Sequence, residues 1–286
     1  VIAEVQRPGP ATGLPTRTSQ GDLLFAINSS QGEFPLMVIA PKDQEDAFKQ
    51  SFRAHNLAEK YQIPVIILSD QFLADSTSDL KKFDLDKLEV KRYLYKNDDK
   101  DSEDEYKRYN LNEDGISPRA YPGSLKGDTM LVDSHEHNEY GRVTEDEKLR
   151  NDMIKKRKKK IDKLIKEDLN EPEYIGAEDI DYLIIGWGST YGPILEAVER
   201  LKEEGNKIGF LSFNDIWPLP TTKLKKWNKK DLEMIVVENN SIGQLTKLIG
   251  RELQISIDHK ILKYTGRPFS ANEIIERLRN EVIIDV

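Results

Sequence analysis

The 286-residue sequence has no cysteine. Disulfides are therefore excluded, and so is any iron–sulfur cluster held by thiolates of this chain. No run of about 18 apolar residues exists, so no transmembrane helix is expected, and a cytoplasmic location is the expectation. Hydrophobic residues reach only 37% against 33% charged, a balance that requires some solvated, loosely packed stretch. Positive charge is in deficit, with a formal net charge of -8. That disfavours non-specific nucleic-acid binding, and neither nucleic acid nor a membrane is an expected partner. The length suggests about two domains with ample core.

The stretch Val1 to Ile27, VIAEVQRPGPATGLPTRTSQGDLLFAI, is the most informative. Pro8, Pro10 and Pro15 fix φ and remove backbone donors. Gly9 and Gly13 permit backbone shapes that other residues resist. Ser19 followed by Asp22 fits a capping box, which predicts a helix starting near Ser19 with Ser19 as its N-cap. Arg17 would then lie just ahead of a helix N-terminus, flanked by the hydroxyls of Thr16 and Thr18, where free N–H groups and partial positive charge favour anions. An Arg fork suits a carboxylate or a phosphate. The pattern points to a small-anion site centred on Arg17; the alternative is a structural loop whose Arg17 pairs with a nearby Asp or Glu.

Downstream, Leu36 to Ala40 reads as a short buried strand ending at Pro41. Gln44 to Tyr61 reads as a helix with Ala47, Phe48, Phe52 and Leu57 along one face and Asp43 as its start signal, with Asp46 following. Ile63 to Leu68 is a second buried strand. Strand, helix and strand at this spacing imply a βαβ unit and a parallel sheet. Asp70 falls at the carboxyl end of that strand, an edge that ligands favour, although an N-cap role for the next helix is the simpler reading. Lys96 to Lys107, rich in Asn, Asp, Lys and Glu, reads as the solvated stretch. Gly115 to Gly123 forms a second Pro/Gly loop, whose Arg119 is a second candidate for anion contact.

Asp133-Ser134-His135-Glu136-His137 has poor spacing for metal ligands on a helix, so a surface turn with hydrogen-bonded histidines is preferred and no metal site is assigned. Asp146 to Asp168 reads as a long charged helix whose run Lys155 to Lys160 is a solvated face. Glu171-Pro172-Glu173 marks a boundary, and a second α/β unit starts near 178. Strands are expected over Tyr182–Ile185, Lys207–Phe213 and Met234–Val237, with a helix from about Gly192 to Gly205. Ser241 with Gln244, and Ser270 with Glu273, look like further capping boxes. Gly186-Trp187-Gly188-Ser189-Thr190 opens a helix after a strand, as nucleotide-binding turns do, but lacks their third spaced Gly.

The segment RPGPATGLPTRTSQGDLL resembles part of the large catalytic subunit of 2-oxoacid:ferredoxin oxidoreductases. The resemblance continues through EFPLMVIAPKDQEDAF, AEKYQIPVIILSDQFLADS, YNLNEDGISPRAYPG, VDSHEHNEYGRVTED and GRPFSANEI. It is strongest to the 2-oxoglutarate-type and broad 2-oxoacid-type alpha subunits. The resemblance implies an α/β chain with three parts. Residues 1–80 would be the C-terminal part of a pyrimidine-binding thiamine-diphosphate-type domain. Residues 81–177 would be a charged connecting region with the long helix. Residues 178–286 would be a transketolase C-terminal-like α/β domain. Because the chain opens on Val inside a recognisable segment, an N-terminally truncated fragment is expected, inactive alone.

The implied activity is oxidative decarboxylation of a 2-oxoacid, 2-oxoglutarate favoured, to an acyl-CoA, with coenzyme A and ferredoxin as acceptors. Arg17 would bind the substrate carboxylate, supported by Thr16 and Thr18, with Arg119 a further candidate. Thiamine diphosphate with Mg2+ and a 4Fe-4S cluster would belong to the assembled complex, mainly on a partner beta subunit, none held by this chain alone. The assembly would be a heteromeric dimer of alpha–beta pairs. The rival readings are a non-catalytic dimerising scaffold and a nucleotide-binding protein using Gly186–Thr190.

Overall fold

The computed structural model describes residues 1–95, 106–125, 129–229 and 231–282. Most of the run read as a solvated loop, residues 96–105, lies outside them.

Two sheets organise the chain. The first holds four strands in the order β1 (Ile2–Gln6), β3 (Val65–Asp70), β2 (Met37–Ile39) and β7 (Asp215–Trp217). β1 and β2 both run parallel to β3, while β7 joins β2 antiparallel. Met37, Val38 and Ile39 are all fully buried, as expected of a parallel strand covered on both faces. The crossover is α2 (Gln44–Tyr61), with the bounds read from the sequence. Asp43 starts it by accepting from the Asp46 N–H at 2.7 Å, which satisfies one of the otherwise orphaned donors. Its buried face is Ala54, Leu57 and Tyr61. Phe48 lies nearer the surface than the periodicity suggested and stacks on Phe83 at 3.9 Å.

The long helix α4 (Glu147–Glu167) starts on Asp146, whose carboxylate accepts from the Leu149 N–H at 2.7 Å. One expectation fails here. Lys155 to Lys160 is not a uniformly solvated face, because Lys156 is only 7% exposed and donates to the Tyr109 carbonyl at 2.8 Å. The loop around Gly115 lies directly on this helix: a Cβ at Gly115 would come within 2.4 Å of the Lys156 carbonyl. The run therefore faces two ways: Lys156, Arg157 and Lys160 turn toward the protein, and Lys155, Lys158 and Lys159 face water.

The second sheet holds five strands in the order β4 (Glu173–Ile175), β6 (Ile208–Phe213), β5 (Tyr182–Trp187), β8 (Glu233–Glu238) and β9 (His259–Leu262). All pairings are parallel except β4 with β6. The expected break at Glu171-Pro172-Glu173 is thus immediately followed by an edge strand. α5 (Tyr191–Glu203) and α8 (Ala271–Arg277) cover one face. Ser270 caps α8 by accepting from the Glu273 N–H at 3.2 Å, as its pattern predicted.

Between the sheets lie α1 (Leu23–Ile27) and α7 (Gln244–Leu253). One apolar cluster joins Leu23, Val38 and Leu68 of the first half to Trp187, Phe213 and Leu248 of the second. β7 and this shared core weld the halves together. Two predicted helix starts move. α1 begins at Leu23 without a side-chain cap, and Ser19 instead donates to the Asn239 carbonyl at 3.2 Å. α7 begins after Gly243, not at Ser241. Ser19 and Ser241 have the right residue type for capping, but Ser19 is held by the distant Asn239, and near Ser241 the free N–H groups go to Asn240 and Glu238 instead.

Candidate functional site

The carboxyl ends of β1 and β3 meet the carboxyl ends of β8 and β9 along one seam. Gln6, at the end of β1, is 1% exposed. It donates to the Ser69 carbonyl at 3.1 Å and accepts from the Asp22 N–H at 3.0 Å. The loop leaving β1 folds back on itself. Leu14 N–H donates to the Pro8 carbonyl at 3.0 Å, and Arg17 N–H to the Leu14 carbonyl at 3.1 Å. Gly13 has a φ of +46°, and a Cβ there would sit 1.7 Å from the Pro8 carbonyl oxygen. No other residue fits that position without opening the loop.

The second half of the chain clamps the segment from Thr18 to Leu24. Thr18 N–H donates to the Gly266 carbonyl at 3.2 Å, and Gln20 N–H to the Asn239 carbonyl at 2.7 Å. The Gln20 side chain donates to the Trp187 carbonyl at 2.7 Å and accepts from the Asn239 N–H at 2.9 Å. Asn240 donates to the Gln20 carbonyl at 3.1 Å. Gln244 accepts from Leu24 N–H at 2.8 Å and donates to the Gly21 carbonyl. Gln20 is fully buried, so each of its bonds is made where water cannot compete.

Beneath the clamp lies Glu238, fully buried at the end of β8. Its carboxylate accepts from Leu245 N–H at 3.0 Å and Thr246 N–H at 3.2 Å, the free donors at the start of α7. It also accepts from Asn240 at 2.8 Å and the Trp187 indole at 3.3 Å. Glu238 therefore does for α7 what the Ser241 pattern was expected to do. Burial pushes its pKa up, against these donors, which favour the ionised form.

The predicted site residues separate in space. Thr18 is 3% exposed and donates to Asp70 at 3.1 Å; the same Asp70 oxygen accepts from Leu73 N–H at 3.0 Å and caps α3 (Gln71–Asp75). Thr18 and Asp70 are thus internal supports of the loop. Thr16 is exposed and offers its carbonyl to Arg17 at 3.3 Å. Arg17 is half-buried, and among the described residues it forms no ion pair. The reading that paired it with a nearby carboxylate therefore does not hold. Nor does it sit at a helix N-terminus, since α1 starts at Leu23. Its stem is seated against Gly266, where a Cβ would meet the Arg17 Cβ at 3.0 Å. Arg119 is engaged elsewhere, paired with Glu59 and donating to the Arg92 carbonyl at 2.8 Å.

The remaining candidates have structural partners. His135 N–H donates to Asp133 at 2.7 Å, and His137 lies 3.8 Å from the Tyr109 ring. Between them, Glu136 accepts from Arg157 and Arg150, and the Arg157 bonds above all hold its carboxyl at about 2. Among the described residues no group of three or more His, Asp or Glu could hold a metal ion. At Gly186–Thr190, a Cβ on Gly188 would meet the Gln20 amide at 3.1 Å, so the first half of the chain occupies the mouth of that turn.

Sequence reasoning missed Gln20, Glu238, Asn239, Asn240 and Gly266. The one local signal was an acidic residue ending an apolar strand, Met234-Ile235-Val236-Val237-Glu238.

Residues 1–156 match the family model "Pyruvate flavodoxin/ferredoxin oxidoreductase, thiamine diP-bdg", and residues 180–274 match "Pyruvate:ferredoxin oxidoreductase core domain II". The chain is 39% identical to 2-oxoacid:ferredoxin oxidoreductase 2, subunit alpha, of Aeropyrum pernix, over 96% of this chain and 42% of that protein. It is 29% identical to the 2-oxoglutarate oxidoreductase subunit KorA of Mycobacterium tuberculosis, over 96% of this chain and 41% of that one. It superposes on 2-oxoglutarate:ferredoxin oxidoreductase from Magnetococcus marinus, solved with 2-oxoglutarate, coenzyme A and succinyl-CoA bound. That match has a TM-score of 0.89 and 34% identity, covering 98% of this chain and 48% of the other. The chain spans about two fifths of the length of these two curated relatives. A thiamine-diphosphate-type unit over its first half, a core domain II over its second and a shared α/β architecture place it in the pyruvate flavodoxin/ferredoxin oxidoreductase family, among the alpha subunits of 2-oxoacid:ferredoxin oxidoreductases.

Proposed function

We propose that this chain supplies the substrate-gripping wall of a thiamine-diphosphate-dependent 2-oxoacid:ferredoxin oxidoreductase, with Arg17 holding the carboxylate of the 2-oxoacid. The reaction is oxidative decarboxylation in the cytoplasm. Coenzyme A takes the acyl group, ferredoxin takes the electrons, and 2-oxoglutarate is the favoured acid. The relatives named for 2-oxoglutarate support that preference. A beta subunit completes the enzyme in a dimer of alpha–beta pairs.

One observation carries this reading. Arg17 is a guanidinium without an ion pair among the described residues, on a loop braced by Gly13 and clamped by Gln20, at the carboxyl edge of a parallel sheet. Rigid seating of a cation matters because orientation is a large part of the rate enhancement available to an enzyme. Arg presents a planar fork that matches a carboxylate, and the nearby Thr16 is exposed, so its hydroxyl can add a further donor. Thr18, turned inward to Asp70, supports the loop from below.

When bound, the thiamine group supplies the carbanion chemistry. Among the described residues no group of three or more His, Asp or Glu is placed to hold its metal ion. The diphosphate, its Mg2+ and the iron–sulfur cluster belong, in this proposal, mainly to the partner subunit.

The carboxylate that Arg17 grips loses its charge as carbon dioxide forms, so the contact is stronger before the step than during it. Arg17 then contributes more to binding than to the chemical barrier. Arg17→Ala, in the full-length subunit assembled with its beta partner, is expected to lower kcat/KM for 2-oxoacids by about a hundredfold, mostly through KM. The assay is viologen or ferredoxin reduction with coenzyme A and thiamine diphosphate. Unchanged kinetics in an assembled variant would refute the Arg17 site and return the chain to a scaffold role.

A further inference from the structure

The long helix α4 carries an amine that no carboxylate claims. Lys156 is 7% exposed, and its ammonium donates to the Tyr109 carbonyl at 2.8 Å. An ammonium has three donors. Among the described residues the Tyr109 carbonyl is the only acceptor that Lys156 bonds, and Lys156 forms no ion pair.

The charges around it are mostly of its own sign. Lys160 lies one turn further along the same helix and donates to the Gln62 carbonyl at 3.3 Å. Arg108 comes from the loop packed on the helix. Its guanidinium is 5.1 Å from the centre of the Tyr109 ring, and the Lys156 ammonium is 5.8 Å from the same centre. Arg157, next to Lys156 in the chain, adds another positive charge, shared with Glu136 at 3.0 Å. Glu139 opposes these cations, but its carboxylate is taken up by Lys107 at 3.4 Å and by the Leu111 N–H at 3.1 Å. Burial first, then repulsion by Lys160 and Arg108, moves the Lys156 pKa down to about 7. Desolvation beside other cations turns a lysine into a nucleophile near neutral pH. The reaction partner of such an amine must be small, because the site is nearly closed to water. It must also gain from positive surroundings. Carbon dioxide meets both conditions, being uncharged when it enters and anionic once bonded.

We propose that Lys156 is a carbamylation site, whose neutral amine takes up carbon dioxide as a carbamate held by the positive charges of Arg108 and Lys160. The Lys156 nitrogen forms a bond to the carbon, one C=O π bond of carbon dioxide opens onto its oxygen, and the nitrogen releases one proton to water. Nothing is oxidised or reduced. The carbamate keeps one N–H, which suits the single Tyr109 carbonyl. Its two oxygens set a negative charge among cations, so repulsion gives way to attraction. Carbon dioxide is also the product of the decarboxylation proposed above, but the Lys156 reaction rests on this cluster alone.

The test uses the full-length subunit assembled with its beta partner, equilibrated near neutral pH with 13C-labelled bicarbonate and carbon dioxide. Carbamates are trapped by ethylation with a trialkyloxonium salt and mapped by peptide mass spectrometry, with the carbamate carbon followed by 13C NMR. Label at Lys156 is expected to exceed that at the exposed Lys155, Lys158 and Lys159 of the same helix by about tenfold or more. Lys156→Arg should abolish the signal. Arg108→Gln should lower it by about threefold or more, because it removes a charge that both depresses the amine pKa and holds the carbamate. Should Lys156→Arg fail to assemble, Arg108→Gln, altered at a half-buried side chain, carries the test. Unlabelled Lys156 in the wild type, label spread evenly over the lysines of α4, or undiminished label in Arg108→Gln would overturn the proposal.

Discussion

Lys156 keeps an ammonium group where water scarcely reaches. Burial, with Lys160 and Arg108 adding repulsion, lowers its pKa from 10.5 to about 7. Between those values the unfolded chain holds a proton that the folded chain has released, so stability rises with pH across that window. Lys156→Met is expected to flatten the rise of the urea midpoint between neutral and mildly alkaline pH. Lys160, lowered to about 8, should leave a residual slope; an unaltered profile would show that Lys156 is not its source. Glu238 allows a second check. Glu238→Gln replaces one acceptor oxygen with an NH2 group that confronts N–H donors, which costs about 1–3 kcal/mol in a buried site and is readable by chemical denaturation. Neither role was legible beforehand. A run of lysines reads as solvated because nothing in it tells which helical turn a distant loop will cover. Glu238 is an ordinary strand-end acid until the start of α7 is seen above it. The loop that carries Arg17 was legible because it is written locally, in Pro8, Gly9, Pro10, Gly13 and Pro15.

Helix starts obey the same division. That of α2 is legible to the residue from Asp43 and that of α4 to within one residue of Asp146, and both carboxylates reach donors three positions on. Ser19 misleads because the group it bonds lies 220 positions away, and no local pattern encodes such a partner. The β9–α8 turn shows what that distant partnership controls. Gly266→Ala forces a left-handed φ on a residue with a Cβ and drives that carbon against the Arg17 stem. Stability should fall by about 1 kcal/mol. If Arg17 grips the carboxylate as proposed, the KM for every 2-oxoacid should rise in the assembled enzyme with kcat nearly kept, because Arg17 is displaced and the chemistry is not. A drop in kcat alone, with KM unaltered, would mean that the turn does not set the position of Arg17.

At the scale of the molecule, the α/β layout with parallel sheets was readable from the alternation of apolar runs and amphipathic stretches. The welding of the halves was not, because β7 is three residues long and carries no pattern of its own. Arg53 on α2 holds Asp215 of β7 with two bonds, at 2.6 and 2.7 Å, and that carboxylate is completely buried. Arg53→Met leaves it short of its counter-charge and should cost about 3 kcal/mol. Both halves should then unfold together in one transition at a lower denaturant concentration; two separated transitions would show that the halves are independent. The clamp on the Arg17 loop has a consequence for synthesis as well. Gln20 leaves the ribosome before the backbone that receives it, at Asn239 and Asn240, which is translated some 220 codons later. Until then the loop has its prolines and glycines but no surface to lie on, so an interrupted translation product carries the motif without its clamp. The clamped shape of the loop arrives all at once, when β8 and β9 have been made and closed against the Gln20 segment.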